Sequence, residues 1–137
     1  MKSKLNFTQS ITAGAIAGGV AAVINAVLFF IFHGAGVLTD DIFVQPNQPL
    51  TVVPVLISSI LPAIIGSIVF FLFEKFTNNG FGIFRIVAII LLVLSLVSPF
   101  TQIPNVTTGF AVVLDIMHVV VAMSVLYFIN RSVQAAK

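Results

Sequence analysis

A chain of 137 residues that is 59% hydrophobic and only 7% charged, with a mean hydropathy of +1.20, is no ordinary soluble domain, in which roughly a quarter of the residues are charged. A core of that size has too little interior to hide so many apolar side chains, so lipid must act as the solvent for much of the surface. The net charge of +2 rests on six basic residues scattered over three segments, too dispersed for the stripe that nucleic acid requires. The absence of cysteine excludes disulfides, thiolate metal sites, iron-sulfur clusters and cysteine nucleophiles.

In chain order, four apolar stretches read as membrane spans, at about residues 8–32, 51–73, 81–98 and 108–130. Each approaches or exceeds the roughly 20 residues a helix needs to cross the hydrocarbon. With no water beside them, such segments must satisfy their backbone groups internally, and four continuous runs are too few for a barrel. The expected fold is therefore all-α: a polytopic membrane protein with one domain over residues 1–137, built as an antiparallel four-transmembrane-helix bundle.

The first stretch follows Lys2 and Lys4 and carries an Ala13-Gly14-Ala15 triplet, as a signal peptide would. Its apolar run continues from Ile11 to Phe32, too long for a signal core, so a retained span is expected. Gly14, Gly18 and Ala22 recur at four-residue spacing, with Ala17, Ala21 and Asn25 as an adjacent row. Small residues let helices approach closely, either within the bundle, which is the favoured reading, or at a dimer interface.

Residues 34 to 50 hold Gly34, Gly36, Asp40, Asp41, Pro46, Asn47 and Pro49 around Ile42-Phe43-Val44. This composition reads as an extended segment over one face of the membrane. In the second span, Ser58, Pro62 and Gly66 lie beside Ser59, Ala63 and Ser67; Pro62 should kink the helix and free a carbonyl. The stretch from Lys75 to Gly80 has the length and residues of a tight turn, which makes spans two and three neighbours.

Lys2, Lys4, Lys75, Arg131 and Lys137 fall in alternate gaps and flanks of the spans, with Arg85 at the start of the third, while residues 33 to 50 and 99 to 109 contain no Lys or Arg. Positive flanks stay on the cytoplasmic side during insertion. Both termini are expected inside, in a multi-pass protein of the cell (inner or plasma) membrane.

In the fourth span, Asp115 and His118 stand at i, i+3 on one face. An ionisable side chain within a span is costly and usually faces a partner, the bundle interior or a water-filled cavity. The carboxylate is placed to hold one imidazole nitrogen and orient the other. Counted inward, Asn25 lies eight residues before His33, Ser58 seven after Thr51, and Asp115 seven after Thr108, all at roughly 10 Å of depth. Asn25, Ser58, Asp115 and His118 are the candidate polar pocket, facing outward; the alternative is a hydrogen-bond network that only ties the helices together. One histidine and one carboxylate at that depth are fewer ligands than most zinc sites use, and His33 lies too far from His118 to share a haem. No metal or cofactor is expected.

Ala22-Val23-Ile24-Asn25, Leu61-Pro62-Ala63, Val93-Leu94-Ser95-Leu96-Val97-Ser98-Pro99 and Ile116-Met117-His118 resemble the corresponding segments of a family of short four-helix bacterial membrane proteins, domain of unknown function 6069. The resemblance covers nearly the whole chain and implies a four-helix architecture in a bacterial membrane; it carries no activity. With no nucleophile and base, no second carboxylate at the depth of Asp115 and no phosphate-binding loop, a non-enzymatic role is expected. The first candidate role is binding or transport of a small molecule or ion through the polar pocket. The second is an accessory or scaffold subunit that binds another membrane protein, or a second copy, through small-residue faces.

Overall fold

The computed structural model describes residues 4–137; Lys2 lies outside the described residues. Among the described residues the regular elements are helices and one small hairpin: α1 (Phe7–Gly34), β1 (Phe43–Gln45), β2 (Gln48–Pro49), α2 (Val52–Phe76), α3 (Gly80–Ser95), α4 (Ser98–Gln102) and α5 (Thr108–Ala135). Four segments, Phe7–Gly34, Val52–Phe76, Gly80–Gln102 and Thr108–Ala135, are long and apolar enough to cross a membrane. Their outward faces carry large apolar side chains such as Val23, Ile57, Leu94 and Met123, all exposed. Only a lipid solvent makes that tolerable, so the chain is a multi-pass membrane protein.

Local chemistry sets the helix ends. Asn6 caps α1 in a reciprocal box: its side chain accepts from Gln9 N at 2.8 Å while Gln9 Oε1 accepts from Asn6 N at 2.9 Å, which satisfies two otherwise orphaned donors. Thr107 Oγ1 accepts from Phe110 N at the start of α5. The third span is not one unbroken helix. Pro99 has no N–H to give Ser95 O, so α3 ends at Ser95 and the short α4 resumes at Ser98 after a turn. Between α2 and α3, Gly80 packs on the Glu74 backbone so closely that an added Cβ would sit 2.6 Å from Glu74 N. Only glycine fits there.

α1 packs on α2 and α5, while α3 packs on α2 and α5 from another side and does not meet α1. Two apolar clusters result. Ala13, Ala17, Ala63, Phe70, Phe84 and Ile129 form one near the chain start; Phe29, Leu38, Val55, Phe110, Val113 and Met117 form the other at the opposite end. Lys4 Nζ donates to Thr77 O at 2.9 Å, which ties the chain start to the α2–α3 turn.

The segment expected to be simply extended is instead folded. Phe43 pairs with Pro49 and Gln45 with Gln48 across an antiparallel hairpin, whose turn is closed by Asn47 at φ 58°, a conformation asparagine tolerates. Leu38, Ile42 and Leu50 are buried against the second cluster, so this connection closes one end of the helix assembly. Burying three large aliphatic side chains is worth several kcal/mol, enough to order a loop that would otherwise stay extended.

A candidate membrane-embedded binding cleft

The row of Gly14, Gly18 and Ala22 is turned inward. A Cβ on Gly14 would meet the Ser67 side chain and lie 2.9 Å from Ala63 O, and one on Gly18 would lie 3.0 Å from Ile60 Cα. Both glycines thus bring α1 against α2 of the same chain, and Ala22 is buried on the same helix. Pro62 and Gly66 lie apart from that contact. They belong to the adjacent face of α2, where a Cβ on Gly66 would find only Val125 and Phe84, at 3.8 and 3.9 Å.

The close approach of α1 and α2 brings Asn25 into the middle of the helix assembly, where it is 1% exposed. Its Nδ2 donates to Ser59 Oγ of α2 at 3.0 Å and to Met117 O of α5 at 3.2 Å. A carbonyl can only accept, so these two oxygens fix which end of the amide is nitrogen. Ser124 Oγ of α5 donates to Ala17 O of α1 at 2.8 Å, a second interhelical tie. Neither Ser59 nor Ser124 was among the candidate pocket residues. The signal for Ser59 was its place in the row with Ala63 and Ser67, which faces α1; Ser58, one residue earlier, points about 100° away.

That rotation takes Ser58 and Pro62 to a cleft of about 490 Å³ between α2, α3 and α5, within the range of ordinary small-molecule sites. Its wall is chiefly apolar, with Leu61, Val69, Phe84, Leu92, Leu114 and Val121 among the residues that line it. Five polar side chains interrupt the hydrocarbon: Asn25, Ser58, Ser59, Ser95 and His118. The cleft exists because α3 contacts α2 and α5 without reaching α1, and because Gly66, Ala88 and Ala122 leave room where larger side chains would fill it.

Of the four residues expected to form a polar pocket, three share this wall and one does not. Asn25, Ser58 and His118 line the cleft, and Asp115 is not part of it. Asp115 Oδ1 is buried without a hydrogen-bond partner. The expected carboxylate–imidazole pair is also not formed: among the described residues, the one histidine paired with a carboxylate is His33, whose Nε2 lies 3.1 Å from Asp40 Oδ1. The shared face that i, i+3 spacing provides is broad, and within it His118 lines the cleft while Asp115 does not. His33 stacks on Phe29 with ring centroids 5.4 Å apart, at the end closed by the hairpin. Among the described residues, no three His, Asp or Glu side chains gather as metal ligands would.

A family model described as a family of unknown function (DUF6069) matches residues 6–135. The chain belongs to this family. The match begins at the Asn6 cap and ends with the last residue of α5, so all four long helices and the cleft between them fall within the DUF6069 unit. No curated protein and no solved structure matches the chain.

Proposed function

We propose that this DUF6069 protein is a non-enzymatic membrane protein that binds a small lipophilic molecule in the cleft between α2, α3 and α5. The observation that carries the reading is the cleft itself: about 490 Å³ of apolar space with a few polar groups in one wall. Ion binding has less support, because the carboxylate that would compensate a cation stands outside the wall. The scaffold reading is also weakened, since the Gly14 and Gly18 face is already taken up by α2.

Saturation tests the reading. In proteoliposomes, a photoreactive adamantyl diazirine should label Ala88 and Leu91 in a manner that excess adamantane displaces, while labelling of lipid-facing Ile86 and Leu94 only dilutes. Gly66→Leu, which places a side chain in open cleft space, should remove the saturable fraction. Cleft labelling no more saturable than lipid-face labelling would end the proposal.

The proposed topology has both termini and the α2–α3 turn on the cytoplasmic side, supported by the basic residues Lys4, Lys75, Arg85, Arg131 and Lys137 on that side. With no native cysteine, single-cysteine variants report it directly. Asp41→Cys should react with a membrane-impermeant maleimide on intact cells, and Asn78→Cys only after lysis. The reverse pattern would invert the topology.

A further inference from the structure

The cleft's polar atoms are one-sided. Ser58 Oγ and Ser59 Oγ donate to Val55 O at 3.2 and 2.8 Å, and Ser95 Oγ donates to Leu92 O at 2.7 Å. Each hydroxyl has therefore committed its only proton to its own helix, and what remains toward the cleft is lone pairs. Asn25 has committed its amide nitrogen to Ser59 and Met117, which leaves Oδ1 buried and unpaired.

Pro62 adds a further acceptor. It has no N–H for the carbonyl four residues earlier, so Ser58 O loses its usual i+4 donor, and both residues line the cleft. Among the described residues that line the cleft, His118 is the one side chain with a donor not already committed. No Lys or Arg among the described residues lines the cleft. An anionic head would meet oxygens without a counter-charge, and an acceptor-only head such as an ether or ketone would leave them unpaired in a medium where unpaired polar groups are costly.

We infer that the ligand of this cleft is a neutral lipophile with a hydroxyl head, its proton directed to the accessible hydroxyl oxygens of Ser58 or Ser95 and its apolar body lying along α3. The inference rests on the reading of the cleft as a binding site. The proteoliposome assay described above tests it with three competitors of equal tail length: dodecanol, dodecyl methyl ether and dodecanoate, compared at equal mole fraction in the bilayer.

Dodecanol should displace the adamantyl probe from Ala88 and Leu91 at about tenfold lower mole fraction than the ether, since the ether leaves the acceptors unpaired; dodecanoate should be weaker than the alcohol. Ser58→Ala combined with Ser95→Ala should narrow the gap between alcohol and ether several-fold. Neither serine makes an interhelical bond, so their loss does not threaten the fold. Equal potency of alcohol and ether, a dodecanoate stronger than both, or a gap that the double variant leaves unchanged would overturn the hydroxyl assignment while saturable labelling still upheld the cleft. Loss of saturability would overturn the cleft reading as well.

Discussion

Gly14→Leu should destabilise the protein by more than about 3 kcal/mol and separate α1 from α2, measured by reversible unfolding in mixed micelles. The first added carbon already falls on the Ser67 side chain and 2.9 Å from Ala63 O. Ser67 Oγ can rotate away, but Ser67 Cβ and the Ala63 carbonyl cannot move without moving the helix. Gly14→Ala should therefore also cost about 1–3 kcal/mol, the usual range for overpacking. Gly19 provides the control five residues along the same helix: nothing lies within 4 Å of its would-be Cβ. Gly19→Ala should change stability by no more than about 0.5 kcal/mol in the unfavourable direction. Equal responses at Gly14 and Gly19 would show that α1 does not meet α2 through this face.

At Asn25 the order of substitutions is the expected result: aspartate should be worse than alanine, although it is the closer match in shape. Asn25→Ala removes two interhelical hydrogen bonds, each worth about 0.6 kcal/mol on average in a membrane, and opens a small void, for a total of about 2 kcal/mol. Asn25→Asp places an oxygen where Nδ2 now faces Ser59 Oγ and Met117 O. Both neighbours are oxygens, and Ser59 has already given its proton to Val55 O, so a carboxylate there is buried and repelled, costing more than about 3 kcal/mol. Unfolding midpoints that placed Asn25→Asp above Asn25→Ala would mean the amide is oriented otherwise than described. Ser59→Ala should cost less, about 1 kcal/mol, since it removes one of the two Asn25 bonds while Asn25 Nδ2 keeps Met117 O.

Much of the local structure was legible from particular residues. The Lys75 to Gly80 stretch announces the α2–α3 turn, whereas the Asn6 and Gln9 capping box at the start of α1 was not read from the sequence. The spacing of Gly14 and Gly18 announces a close helix contact, although spacing alone could not say whether the partner helix belonged to the same chain. The hairpin over residues 43 to 49 was less visible, because its strands are two and three residues long and owe their order to Leu38, Ile42 and Leu50 packing beneath them. Such packing depends on helices distant in sequence.

The candidate site divides the same way. Depth along each helix follows from counting residues at a fixed rise, so Asn25, Ser58 and Asp115 could be assigned to one layer from their positions alone. Rotation about the helix axis does not follow, because it is set by which faces pack. The contact through Gly14 and Gly18 turns Ser59 toward Asn25 and leaves Ser58 to the cleft, and the packing of α5 leaves Asp115 outside the wall that His118 joins.

Composition and hydropathy by themselves determined that four helices of this chain are suited to lipid, because the cost of exposing apolar side chains and unpaired backbone is local to each segment. Which polar atoms meet, and that a cleft remains between α2, α3 and α5, was decided only by tertiary structure. Helix rotation and the gap between helices are fixed by side chains far apart in the chain packing at van der Waals distance, a quantity that no single stretch of residues contains.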